Sequence, residues 1–462
     1  MEFNKIKSGE DTVCAISTPP GKGGVSVIRI SGPDSLSIFK DAWRGKDISS
    51  ETPRLSLFGK YVSIEGEVVD EVVATYFKSP ASFTGEDTVE ISMHGSLWIQ
   101  NEILSDLIKR GTRIAQPGEF TQRAFLNGKI DLAQAEGVAD LIASDSKASH
   151  RLALSQMKGD FSKELEHLRN RLIEFASLLE LELDFSEEDV EFADRYLLWN
   201  LSESIIQRIE RLASSFSVGN VMKNGVPVVI AGIPNAGKSS LLNLICGDEK
   251  AIVTDIPGTT RDIIEDKVEI NGISYRFIDT AGLHNSTDKV ESIGISKARE
   301  TIDKAQIVIW VFDPTGDREI QMEELNSYLS SPHDSHLIVI QNKSDLVKER
   351  LAISGELEEL GVILFSTKTS EGLDELKSRL HELATTGVNQ NDVIVTNIRH
   401  FEALTKSAEA LKRARVGLKN NLSADFIAQD IREAIHHLGT ITGSITTDDL
   451  LHNIFSHFCI GK

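Results

Sequence analysis

Cysteine is scarce: Cys14, Cys246 and Cys459 are the three in 462 residues, with no CxxC pair among them. That excludes a disulfide framework. Long apolar runs are missing too, which excludes a bilayer-spanning helix, and Met1-Glu2-Phe3-Asn4-Lys5 lacks the apolar core of a signal peptide. The expected setting is a reducing cytosol, with no membrane. Basic charge is in short supply: 49 Lys and Arg stand against 70 Asp and Glu, for a net charge of -21. Such an anionic surface repels a phosphate backbone, so indiscriminate nucleic-acid binding over the whole surface is excluded. A local basic patch, or a partner that carries most of an RNA contact, is not. The acidic run Glu180, Glu182, Asp184, Glu187, Glu188, Asp189 and Glu191 reads as a solvated helix end and loop, and Lys406, Lys412, Arg413, Arg415 and Lys419 as a solvated helix face.

What is present is a complete set of guanine-nucleotide motifs. The apolar run Val228-Val229-Ile230-Ala231 predicts a buried strand, and Gly232-Ile233-Pro234-Asn235-Ala236-Gly237-Lys238-Ser239 then leads through Ser240 into a helix. In that strand–loop–helix context, backbone N–H groups and the helix N-terminus can cradle a β-phosphate. Lys238 can reach the β- and γ-phosphates, and the Ser239 hydroxyl can hold Mg²⁺. Tyr275-Arg276-Phe277-Ile278 predicts a strand that delivers Asp279, followed by Thr280, Ala281 and Gly282, with the Gly282 N–H available to the γ-phosphate. Thr260, in Thr259-Thr260-Arg261-Asp262, is the expected switch threonine on Mg²⁺. A third strand ends at Asn342-Lys343-Ser344-Asp345. The Asp345 carboxylate can accept from N1–H and the 2-amino group of guanine, and adenine offers neither donor. Ser366, Thr367 and Lys368 would support the base.

One absence within the motifs matters. Leu283 follows Gly282, where Ras-like proteins carry a water-orienting Gln, and no arginine finger can be picked out. The Asn235 amide oxygen, with the backbone oxygens of Thr254 and Ile256, could hold an alkali cation in place of that arginine. Glu291 could orient the attacking water; from spacing alone it reads as a solvated helix-start carboxylate.

The length predicts about three domains. Up to about residue 125, short strands alternate with helical patterning; from 132 to 222 the period is helical; 225–384 carries the nucleotide motifs; 401–418 and 424–438 are helical again. The expected fold is multidomain, α/β plus all-α, with a P-loop domain inserted into a discontinuous helical domain behind a front α/β domain. The boundaries are 1–126, 127–222, 223–384 and 385–462. Other features read more plainly. Thr18-Pro19-Pro20-Gly21-Lys22-Gly23-Gly24 is a stiff turn before a strand, and Pro117-Gly118-Glu119 a turn and helix start broken at Asn127-Gly128. His436 and His437 are adjacent and point apart. Cys459, near the end of Phe458-Cys459-Ile460-Gly461-Lys462, fits a prenylation box badly and is either a reactive thiol or a partly buried inert one.

Along its whole length the chain resembles the tRNA wobble-uridine modification GTPases, the family called MnmE or TrmE. The carrying stretches are residues 18–29 (TPPGKGGVSVIR), 83–95 (FTGEDTVEISMHG), 117–132 (PGEFTQRAFLNGKIDL), 232–240 (GIPNAGKSS), 257–262 (PGTTRD) and 458–462 (FCIGK). The resemblance implies that the front domain binds 5-formyltetrahydrofolate or a related folate and mediates homodimerisation. Arg29, Glu90 and Lys129 would be its folate contacts, with Lys462 approaching the same region. It further implies K⁺ activation, with Asn235, Thr254, Ile256 and Thr259 on K⁺ and Ser239 and Thr260 on Mg²⁺. Glu291 would place the water, and Cys459 matches a cysteine proposed to act in the modification chemistry. GTP hydrolysis would drive a conformational change during addition of a carboxymethylaminomethyl group at uridine C5 of tRNA. The implied partner is FAD-dependent and joins the dimer in a heterotetramer. Two rivals remain: a ribosome-assembly GTPase, which needs a basic RNA-binding appendage, and a folate-dependent one-carbon transferase with a regulatory G domain. A GTP-binding scaffold without turnover is the third class.

Overall fold

The computed structural model describes residues 10–48, 53–184, 195–248, 265–279, 305–331, 333, 335–349, 361–385, 393–420 and 422–461. They fall into two compact units. One comprises residues 1–142, 155–198 and 413–462; the other comprises 143–154 and 199–412.

In the first unit, β1 (Val13–Ile16), β2 (Gly23–Ser31), β3 (Trp43–Gly45), β4 (Ser56–Val62), β5 (Val68–Phe77), β6 (Thr88–Gly95) and β7 (Arg113–Ile114) form a sheet in the order β3-β4-β5-β6-β2-β1-β7. Neighbours are antiparallel except β1 with β7. Alternation along β2 sends Ser26, Ile28 and Ile30 into the core and turns Arg29 to the opposite face. The helices Ser35–Ala42 and Leu97–Lys109 cover the apolar face through Ile38, Phe39, Ile103 and Leu107. Burying each such side chain contributes about 1.5–3 kcal/mol. In the antiparallel register of β2 and β6, Arg29 lies directly opposite Glu90, so both side chains share the face opposite those two helices.

The same unit contains the helices Asp160–Asp184 and Ala424–Thr442, which pack on each other. The helical period over 132–222 read from the sequence includes a stripe of Leu165, Leu168, Leu172, Phe175, Leu178 and Leu179; all are buried here except Leu178, which is half-buried, and Ile427, Ile431, Leu438 and Ile441 of the second helix are buried too. Glu180, from the acidic run, accepts from Arg432 at 2.6 Å. The rest of that run from residue 185 lies outside the described residues.

In the second unit, β8 (Val226–Ala231), β9 (Glu265–Ile270), β10 (Ile273–Asp279), β11 (Ile307–Phe312), β12 (His336–Gln341) and β13 (Val362–Leu364) form a sheet in the order β13-β12-β11-β8-β10-β9. All neighbours are parallel except β9 on β10, joined by the two-residue turn Asn271-Gly272. A parallel sheet must be covered on both faces, and its strands therefore read as unbroken apolar runs; all six residues of β11 are buried. Val228, Ile230, Ile307 and Ile309 enter one core, and Val229, Ala231, Val308 and Trp310 the other. The three strands expected from the nucleotide motifs are β8, β10 and β12. Their C-terminal ends carry those motifs, at the edge where open α/β sheets bind ligands.

Of the basic stretch, Lys412 of the helix Ile398–Lys419 pairs with Glu210 at 2.6 Å, and Arg413 with Asp430 at 3.0 Å and Glu433 at 2.6 Å. These charges serve helix-to-helix packing within the chain.

Candidate functional site

The P-loop leaves β8 at Gly232 and ends at the helix Lys238–Asp248. Asn235 holds a left-handed φ of 64°, a conformation that a short polar residue tolerates and most others resist. Gly237, at φ 101°, is crowded by the neighbouring Asn342 Nδ2, which a Cβ there would collide with. Lys238 is buried, and its ammonium donates to the carbonyls of Gly232 at 2.7 Å and Ile233 at 2.9 Å. Ser239 and Ser240 are exposed at the helix start, where first-turn N–H groups lack intrahelical partners.

Asn342 joins three motifs. It is buried; its Nδ2 donates to Ala236 O at 2.9 Å, its Oδ1 accepts from Thr367 N at 3.2 Å, and its own N–H donates to Phe312 O at 2.9 Å. The phosphate loop and the base-reading segments are thus tied through one side chain. Next to it, Lys343 sits at a left-handed φ of 59° and its ammonium pairs with Asp313. Burial would raise the Asp313 carboxyl, but Lys343 and the N–H and hydroxyl of Thr315 outweigh it and hold the carboxyl below the usual range. Ser344 donates to Glu371 at 2.8 Å. Asp345 is exposed, and one of its oxygens accepts from Ser366 Oγ at 2.8 Å, which holds the carboxylate in position for a base. Lys368 is exposed.

Asp313, Thr315, Gln321 and Glu371 support this site and were missed in the sequence. Gln321 brackets Asp313, accepting from its N–H at 2.8 Å and donating to its carbonyl at 2.9 Å. The available signal was the polar residue directly following the apolar strand β11. Thr254, Ile256, Thr259, Thr260, Thr280, Ala281, Gly282 and Glu291 lie outside the described residues, as does Lys462; of Asp279 the structure gives the backbone, paired with Ile230 at the end of β10.

The other unit holds a second site. Arg29 donates to Glu90 Oε1 from Nε at 2.9 Å and from Nη2 at 2.8 Å. Its guanidinium lies 5.4 Å from the Phe83 ring centre and 5.5 Å from that of Phe120. Lys129 donates to Pro80 O at 2.9 Å. The C-terminal segment is seated on the same unit: Ser17 Oγ donates to Gly461 O at 3.1 Å and Gly118 N to Cys459 O at 3.3 Å. A Cβ on Gly461 would collide with the backbone carbonyl of Ile16, so the tail reaches this seat only with glycine there. Cys459 is exposed, which removes the partly buried alternative.

Beneath Phe120 the turn-and-helix segment hides a charge network that sequence reasoning did not single out. Arg123 is fully buried and donates to Glu119 at 2.9 Å, Asp11 at 2.6 Å and Glu86 at 3.2 Å. Arg113 bridges Asp11 and Glu119. Burial raises Asp11 and Glu119, but hydrogen bonds from Arg113 and Arg123 prevail, and both carboxyls lie below the usual range. A carboxyl depressed in the folded chain contributes stability above its unfolded value, near about 4, and loses it as pH falls through the folded value. Urea resistance of this unit is therefore expected to fall steeply below about pH 4. An Arg113→Gln variant should start weaker and lose less between pH 5 and pH 3; equal losses in urea midpoint would contradict the assignment.

The helical-domain model of the MnmE family matches residues 132–459, on both sides of the nucleotide motifs in sequence, and the model for the N-terminus of the GTP-binding protein TrmE matches residues 12–129. A tRNA modification GTPase MnmE from Parabacteroides distasonis is 52% identical over 98% of this chain and 100% of its own length. Another, from Cytophaga hutchinsonii, is 50% identical over 100% of both chains. Among solved structures, the G domain of the T. maritima FeoB iron transporter is 30% identical over 34% of this chain and 98% of its own, with a TM-score of 0.27, too loose to add to the sheet order above. With P-loop and base motifs tied through Asn342, an inserted sheet, and full-length relatives at half identity, the chain belongs to the MnmE family of tRNA modification GTPases.

Proposed function

We propose that this chain is a Mg²⁺-dependent, K⁺-activated GTPase whose turnover drives a conformational change during modification of the tRNA wobble uridine. Its coarser part, GTP hydrolysis in tRNA modification, follows from family membership. The observation that carries the nucleotide assignment is the Asn342 strut, which holds the phosphate loop and the base-reading loop at a fixed spacing. Lys238 would bind the β- and γ-phosphates on exchanging its loop carbonyls for phosphate oxygens, and Ser239 would hold Mg²⁺. Mg²⁺ supplies charge neutralisation across those phosphates. Asn235, already in the left-handed conformation, leads the proposed K⁺ set with Thr254, Ile256 and Thr259; Thr260 completes the Mg²⁺ set. Glu291 would orient the water, with Thr280, Ala281 and Gly282 along the γ-phosphate.

Glu291→Ala is expected to slow hydrolysis about a hundredfold or more, as loss of a general base or water-positioning group does, while leaving GTP affinity nearly unchanged. A wild-type rate in single-turnover kinetics would remove Glu291 from the mechanism.

The Arg29, Glu90 and Phe83 arrangement suits a folate: the Glu90 carboxylate, held by Arg29, can accept from the N–H groups of a pterin on its free oxygen, the Phe83 ring is part-exposed beside it, and Lys129 offers a cation to the folate carboxylates. A homodimer, an FAD-dependent partner in a heterotetramer, chemistry at Cys459, an approach of Lys462 to the folate, and a cytoplasmic setting complete the reading. No described helix is long and apolar enough to cross a membrane. Full-length relatives named tRNA modification GTPases support this reading over the ribosome-assembly alternative.

A further inference from the structure

A cavity of about 340 Å³ lies at the start of the helix Asp160–Asp184, with Leu438 and Thr442 of the helix Ala424–Thr442 in its wall. None of the nucleotide or folate residues above lines it. Three cations do: Lys158, Lys163 and Arg169. Among the described residues, none of the three charged heads is ion-paired. Two polar atoms of the lining, Arg169 Nε and Ser162 Oγ, are buried without any hydrogen-bond partner. A buried donor without an acceptor is costly, and proteins keep few of them. Of the two carboxylates in the lining, Asp131 accepts from Gln134 N at 2.8 Å as a helix cap, and Glu166 is exposed.

We propose that this cavity binds a phosphate ester, with the phosphate held by Arg169, Lys158 and Lys163 and receiving the Ser162 hydroxyl hydrogen. A guanidinium fork, two ammonium groups and a hydroxyl make four separate donors, which a tetrahedral phosphate meets better than a planar carboxylate. The volume exceeds the need of a lone phosphate and falls in the range of small-molecule sites, leaving space for an attached sugar. A free nucleotide and an RNA backbone share this chemistry. The inference rests on the cavity itself and does not depend on the tRNA reading.

The test uses the full-length chain saturated with GDP and Mg²⁺, so that the guanine-nucleotide site is filled. 5′-UMP is titrated calorimetrically, and labelled tRNA is followed by fluorescence anisotropy. Saturable binding of at least one is expected, weakened about tenfold or more by the exposed pair Lys158→Gln/Lys163→Gln and again by Arg169→Gln. An unchanged GTP hydrolysis rate in the lysine pair shows that it is folded. Displacement of UMP by tRNA assigns the phosphate to RNA; UMP binding that tRNA leaves intact assigns it to a free nucleotide. Binding of neither, or binding that the substitutions leave unaltered, overturns the proposal.

Discussion

Asp345→Asn is expected to weaken GTP binding at least about a hundredfold, because two hydrogen bonds to a charged acceptor are lost. The same variant should gain affinity for xanthosine triphosphate. Xanthine carries a carbonyl where guanine carries its 2-amino group, so an amide in place of the carboxylate donates to that carbonyl and still accepts from N1–H. Ser366 Oγ holds one Asp345 oxygen at 2.8 Å and can equally hold an amide oxygen, so the side-chain position is kept. Dissociation constants for both nucleotides, measured with fluorescent analogues, give the result. A variant that binds GTP as tightly as the parent, or gains nothing for the xanthine nucleotide, would take the base contact away from Asp345.

The second large effect is on stability. Arg123→Met is expected to destabilise the unit that contains it by about 3–5 kcal/mol, the typical cost of leaving one side of a buried ion pair uncompensated. Glu119 keeps Arg113, but Glu86 is nearly fully buried, so its charge loses this cation with no route to water when the Arg123 guanidinium is gone. The thermal transition of that unit should fall by about 6–20 °C. The nucleotide-binding unit has its own cores and should keep its GTP affinity. Calorimetry resolves the two outcomes; an unshifted transition would mean that the network holds no such charge energy. Phe120 shares the helix Glu119–Leu126 with this network, so loss of Arg123 should also loosen the ring that faces Arg29.

The sequence was most readable where one local pattern carries one physical demand. The buried strands β8, β10 and β12 were visible because a doubly covered parallel sheet requires unbroken apolar runs. The P-loop was visible because glycines, Lys238 and Ser239 stand at fixed spacing between a strand and a helix, and at Gly237 the positive φ and the neighbouring Asn342 amide leave glycine as the fitting residue. The helices Asp160–Asp184 and Ala424–Thr442 followed from their 3.6-residue apolar stripes. What escaped were side chains whose partners are distant in sequence. Asp313 and Lys343 are 30 residues apart, Ser344 and Glu371 are 27, and Arg123 and Asp11 are 112. No periodicity marks such pairs. A polar residue after a buried strand, or an arginine inside a turn-and-helix segment, has an ordinary solvated reading until the fold closes around it. Arg29 and Glu90 were named through family resemblance; the β2–β6 register supplies the physical reason, setting them opposite each other on one face.

Steady-state GTP hydrolysis by the full-length chain, in K⁺ and in Na⁺ at matched ionic strength, tests the central claim most directly. With Leu283 in the position of the water-orienting Gln and an asparagine at position 235, the account predicts a rate at least about tenfold higher in K⁺, the contribution expected of one positive charge placed at the developing phosphate charge. That stimulation should vanish in Asn235→Ala. Equal rates in the two salts would contradict the cation site and leave the transition state without its proposed positive charge.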